Sequence, residues 1–150
     1  MKRLTFLTAA VASLSLAALT PAIAVAAPAS STETVVSCGN SGLQSGLSTR
    51  LCAEVTGNTV VFVGKVGLAG PPSPGSPAPA PKELTTTFTA TADGAPLPKV
   101  TKDAHFNNTN LEVLGLGANV ACGSTIRATF GVASYPWTAR PVTHEVTVAC

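Results

Sequence analysis

Few side chains in this chain are placed to do chemistry. Asp103-Ala104-His105 sets a carboxylate and an imidazole two residues apart, which on a strand puts both on one face. Acyl transfer also needs a nucleophile and an oxyanion hole, and no G-x-S-x-G elbow is present. Gly42-Leu43-Gln44-Ser45-Gly46 has the wrong spacing for one. Asp103 and His105 therefore read as ordinary surface residues. His144 alternates with valines and reads as a satisfied buried or edge histidine, with Glu145 pointing the other way. Glu33, Glu54, Glu83, Asp93 and Glu112 are scattered, without an acid pair or a calcium loop. Gly115-Leu116-Gly117 lacks the third glycine of a dinucleotide fingerprint, Val120 standing where it would fall. The expectation is a chain that is not an enzyme, with no catalytic residue, no metal ligand and no cofactor.

The cysteines carry more information. Cys38, Cys52, Cys122 and Cys150 allow three pairings. No CxxC occurs, so bridges are favoured over metal or redox chemistry. Cys38 and Cys52 flank one loop between adjacent strands, while Cys122 and Cys150 stand at the open end of an expected C-terminal hairpin. The expected pairs are therefore Cys38–Cys52 and Cys122–Cys150.

Tyr135-Pro136-Trp137-Thr138-Ala139-Arg140 holds the chain's only Tyr and only Trp beside an Arg. These three types are enriched at interaction hot spots. Tyr135, Trp137 and Arg140 are candidate partner-binding residues, with sugar stacking on Trp137 as a further reading. The bland alternative has Trp137 folding back to cap the core.

Export sets the context for these residues. Residues 1–27 read as a signal peptide: Lys2 and Arg3 form the positive region, Leu4 to Leu19 the apolar stretch, and Ala24-Val25-Ala26 the small residues before cleavage. A secreted, extracellular protein with a disulfide framework is expected. The full chain has 9 basic and 7 acidic residues; loss of Lys2 and Arg3 leaves 9 − 2 = 7 of each. Nucleic acid and anionic membranes both need a basic surface, so neither is expected as a partner. No second apolar run has spanning length, so no membrane anchoring is expected after cleavage.

The elements that must position these residues read as strands. Residues 28–36 form an extended N-terminal arm, with Thr32, Thr34, Val35 and Val36 as candidate partner-binding residues, and 37–150 one β-sandwich domain. Thr34–Cys38, Leu51–Val55 and Thr59–Val66 are short β-type runs, with a Gly- and Ser-rich loop at 39–49. Gly70–Pro81 contains six prolines and reads as a surface loop. In Lys82–Ala92, Leu84, Thr86, Phe88, Ala90 and Ala92 share one face and the other is lined with threonine. Asp93-Gly94 marks a turn. Val100–Phe106, Leu111–Leu116, Thr125–Ser134 and Val142–Cys150 follow. With no helical periodicity beyond the signal, the fold class is all-β: a small immunoglobulin-like antiparallel sandwich with two disulfides.

Val36-Ser37-Cys38, Leu51-Cys52-Ala53-Glu54-Val55-Thr56-Gly57, Ala121-Cys122-Gly123-Ser124-Thr125 and the final Val148-Ala149-Cys150 resemble a group of small secreted disulfide-bonded proteins of actinobacteria. Within that group the chain looks like the small adaptor component of umbrella toxin particles. The resemblance implies a β-sandwich whose N-terminal strand, here Ala29–Val36, joins a large toxin-bearing subunit, with a lectin as the other partner.

The expected function is a secreted protein–protein interaction module, an adaptor in an extracellular antibacterial toxin complex. The alternatives are an inhibitor of a secreted protease or other enzyme, anchored by Leu43, Leu47 and Arg50, and a carbohydrate-binding module centred on Trp137.

Overall fold

The computed structural model describes residues 33–150 apart from 72, 76, 78, 79 and 108. The expected signal peptide, the first part of the arm and Thr32 lie outside the described residues. Among the described residues every regular element is a strand, and the strands form two antiparallel sheets.

Each sheet follows from period-two alternation. The first contains β1 (Thr34–Cys38), β2 (Gly42–Gln44), β3 (Leu47–Thr56), β4 (Thr59–Leu68) and β8 (Asn110–Asn119). In β3, Leu47, Thr49, Leu51, Ala53 and Val55 are buried while Arg50 and Glu54 are exposed. The second sheet contains β5 (Lys82–Ala92), β6 (Ala95–Pro96), β7 (Val100–Phe106), β9 (Thr125–Ala133) and β10 (Val142–Thr147). In β5, Leu84, Thr86, Phe88 and Ala90 are buried, which is the expected face.

Short turns set the register. Thr56 pairs with Thr59 across Gly57-Asn58, where Gly57 has φ 57°, the first-position glycine of a type II′ turn. Ala92 pairs with Ala95 across Asp93-Gly94, both at positive φ, as a type I′ turn demands. The proline-rich segment joins β4 to β5 and so carries the chain from one sheet to the other. Strand orders β3-β4-β8 and β10-β9-β5-β7 give an immunoglobulin-like sandwich. β1 and β2 pair in succession along the outer edge of β3.

Between the sheets, Phe88 and Phe130 stack with ring centroids 4.7 Å apart. The facing sheet makes room for them with glycine: a Cβ on Gly64 would collide with the Phe130 ring, and one on Gly115 with Phe88. Phe62, Phe106, Leu51, Val60 and Ile126 complete the centre. Burial of each large apolar side chain contributes about 1.5–3 kcal/mol.

Both disulfides form as expected, Cys38–Cys52 and Cys122–Cys150. Such bridges belong to a chain that folds under oxidising conditions. Cys38 and Cys52 are directly paired residues of β1 and β3.

Two expectations about the elements are corrected, the 39–49 loop and the end of the last strand. The expected 39–49 loop contains β2 and the start of β3, closed by a tight turn at Ser45-Gly46. The expected strand Thr34–Cys38 forms as β1, so that residues 34–36 of the extended arm pair with β3 of the same chain. The last strand ends at Thr147 rather than Cys150; beyond it, Val148 N–H donates to Ser124 O and its own carbonyl accepts from Gly123 N–H.

Candidate functional site

Two surfaces carry the residues expected to bind partners. The first is the outer edge of β1, which has no paired strand among the described residues. The Cys38 and Cys52 Cα atoms are 4.0 Å apart, the narrow spacing of a non-hydrogen-bonded antiparallel pair. The neighbouring pairs Ser37–Ala53 and Val35–Val55 therefore carry the ladder bonds, and Gly39 N–H continues the series onto Leu51 O at 2.9 Å. The N–H and C=O groups of Thr34, Val36 and Cys38 then point away from β3, off the edge of the sheet. Val35 and Val36 are 61% and 57% exposed. β1 contains no lysine, proline or bulge, the usual guards of an edge.

β1 is fixed from below by Ser37 Oγ, which bonds His144 Nε2 at 2.9 Å across the sandwich. Burial lowers the His144 pKa below its usual value. His144 is thus the satisfied edge histidine that its alternation with valines implied.

The second surface is the connection between β9 and β10. Ser134 and Trp137 exchange two backbone bonds, of 2.6 and 3.2 Å, around a turn that holds Tyr135 and Pro136; the Tyr135–Pro136 peptide is cis. Tyr135 is 99% exposed and Trp137 65%, so Trp137 does not cap the core. The base of this turn is pinned by a residue that no motif or spacing singles out. Gln44, buried in β2, accepts at Oε1 from Val132 N–H (2.9 Å) and Arg140 N–H (3.1 Å). Its Nε2 donates to Thr49 Oγ1 (2.8 Å) and Phe130 O (3.0 Å). Ser45 Oγ adds a bond to Val132 O at 3.1 Å, and Lys82 Nζ donates to Ser45 O at 3.0 Å. Arg140 therefore acts at this base through its backbone amide, while its side chain is exposed.

The two surfaces are separate. His144, under β1, pairs with Ala128 in β9, and the aromatic turn begins at Ser134, roughly 20 Å further along at about 3.3 Å per residue. Beside the turn, Glu83 pairs with His105 through Oε1 and Nδ1, and Thr85 Oγ1 donates to Asp103 Oδ1 at 3.1 Å. Asp103 and His105 do lie on the surface as expected, but β5–β7 pairing brings Glu83 to His105, which spacing along the chain could not show. Among the described residues no group of three His, Cys, Asp or Glu side chains is placed to hold a metal ion.

Of the expected inhibitor anchors, Leu43 and Arg50 are exposed, but Leu47 is 3% exposed and belongs to the core. Period two explains this: Leu47 falls on the inward face of β3, where a loop assignment hid its alternation.

No family model matches the chain, and no curated protein or solved structure matches it either.

Proposed function

We propose that the protein is a secreted, non-catalytic interaction module that takes a protein partner by strand addition along β1. The observation that carries this reading is the unguarded outer edge of β1, with the N–H and C=O groups of Thr34, Val36 and Cys38 directed off the sheet. A partner strand gains its affinity from those backbone groups and its register from alternate side chains. Val35 and Val36 supply exposed apolar surface beside them. Because residues 34–36 are paired within their own chain, they act as a template for a partner's strand rather than as a strand donated away. The resemblance to the adaptor component of umbrella toxin particles supports a large secreted subunit as that partner, in an extracellular antibacterial complex.

The test is Val36→Pro, which removes an outward donor and leaves the β1–β3 ladder intact. Tagged wild-type protein is used to recover partners from the culture supernatant of its own source. A large secreted protein that is retained by wild type and by Tyr135→Ala, and lost with Val36→Pro, supports the reading. Equal retention by Val36→Pro sinks it.

A further inference from the structure

The core takes Phe62, Phe88, Phe106 and Phe130, whereas the single tyrosine and single tryptophan stand on a surface turn whose two arms are bonded to one buried glutamine. Two open grooves, of about 360 and 310 Å³, meet there. They share Glu83, Ser134 and Tyr135; the first adds Thr85 and Asp103, the second Lys82 and Trp137. Each is at the small end of the range for ligand sites.

The chemistry of these groups narrows the ligand. Ring faces at Tyr135 and Trp137 take a flat surface of C–H groups. Glu83 and Asp103 each hold one protein hydrogen bond and keep further lone pairs for donors from a ligand. The Ser134 hydroxyl can donate or accept, and that of Thr85, whose proton goes to Asp103, can accept. An anion would meet Glu83 in both grooves and Asp103 in the first, while the one cation that lines them, Lys82 in the second, already donates to Ser45 O. A wholly apolar ligand would strip water from them without returning hydrogen bonds. A ligand with an apolar flat face and a rim of hydroxyl donors satisfies every group, and a pyranose has that form. We infer that this cleft is a saccharide site. It takes a neutral hexopyranose or pentopyranose chain of at least two units, one in each groove, with Tyr135 at their junction.

The single tryptophan gives a direct readout. Full-length secreted protein is titrated with cellotetraose, chitotetraose, xylotetraose and mannotetraose while Trp137 fluorescence is followed. Retention on insoluble cellulose, chitin and xylan is measured in parallel. A saturable change with at least one oligosaccharide is expected, weakened at least tenfold by Tyr135→Ala or Asp103→Asn and unaltered by Val36→Pro. Trp137→Ala should abolish retention on the matching polymer while far-UV circular dichroism stays that of wild type. No saturation with any oligosaccharide together with no retention on any polymer overturns the assignment. So does retention that Tyr135→Ala and Asp103→Asn leave unchanged.

Discussion

The Gln44 side-chain carbonyl accepts the backbone N–H of Arg140 at 3.1 Å, across 96 residues of sequence. With its bond from Val132 N–H, this one oxygen closes the loop that begins where β9 ends. The aromatic turn therefore owes its position to a residue of the opposite sheet. An amide is suited to the place, since it offers a double acceptor and two donors on one flat group.

Replacing Gln44 with the similarly sized but apolar Met should leave the N–H groups of Val132 and Arg140 and one bond to Phe130 O without partners. Buried unsatisfied groups cost about 1–3 kcal/mol each before relaxation. A loss of about 2–4 kcal/mol is expected in chemical denaturation. Faster amide exchange at Val132 and Arg140 should accompany it. A change below 0.5 kcal/mol, by the scale of ordinary surface substitutions, would mean that the network is not holding the turn.

Gly64→Ala should destabilise by about 1–3 kcal/mol, the usual range for overpacking, because the added methyl meets the rigid, buried Phe130 ring. Gly117→Ala is the control: its nearest neighbour would be Val61 at 3.9 Å, and it should stay within about 0.5 kcal/mol of wild type. Equal costs at the two sites would refute the steric account.

Removing either disulfide by paired Cys→Ala substitution should lower stability by about 3–4 kcal/mol on the chain-entropy account. Cys122–Cys150 spans 28 residues against 14 for Cys38–Cys52, so its loss should cost slightly more. Thermal unfolding of the two variants under identical conditions checks both the size and the order.

Stability should fall on mild acidification because of His144. Its folded pKa lies below the ordinary 6.5 through burial, so the unfolded chain binds the proton more readily. The contribution is complete above about pH 6.5 and is lost as pH falls through the lowered folded value. His144→Gln should flatten the stability profile just below about pH 6.5; an unchanged slope there would assign the loss to another group. Asp93 acts at lower pH. The Thr125 N–H, first, and Ser124 hold its pKa below 3.8, so its contribution is present above that value and lost below it.

The strands that alternate cleanly, β5 above all, could be read directly from residue order, as could the Asp93-Gly94 turn and the cysteine pairs, whose flanking strands bring them together. The 39–49 segment could not. Gly, Ser and Asn dominate it, and its hairpin uses Ser45-Gly46 at positive φ in place of the familiar Asn-Gly signal. That misreading concealed β2, with it Gln44, and also the inward place of Leu47. The Glu83–His105 pair depends on the register between β5 and β7, which no local pattern specifies. The bond from the Arg140 peptide N–H to Gln44 is a backbone role that residue type could not signal. Tyr135 and Trp137 were singled out by type alone, and only their exposure separates display from core capping.

Because Cys38 is bonded to its own ladder partner, tension entering the chain at Thr34 crosses to Cys52 after four residues of β1. Residues 39–51 are bypassed. Tension leaving at Cys150 likewise crosses to Cys122 and bypasses residues 123–149. Under a mechanical pull between those two points, only the span from Cys52 to Cys122 can lengthen. The Ser134–Trp137 turn lies wholly inside the second bypass. Its backbone carries no strain, even while the middle of the sandwich is drawn out.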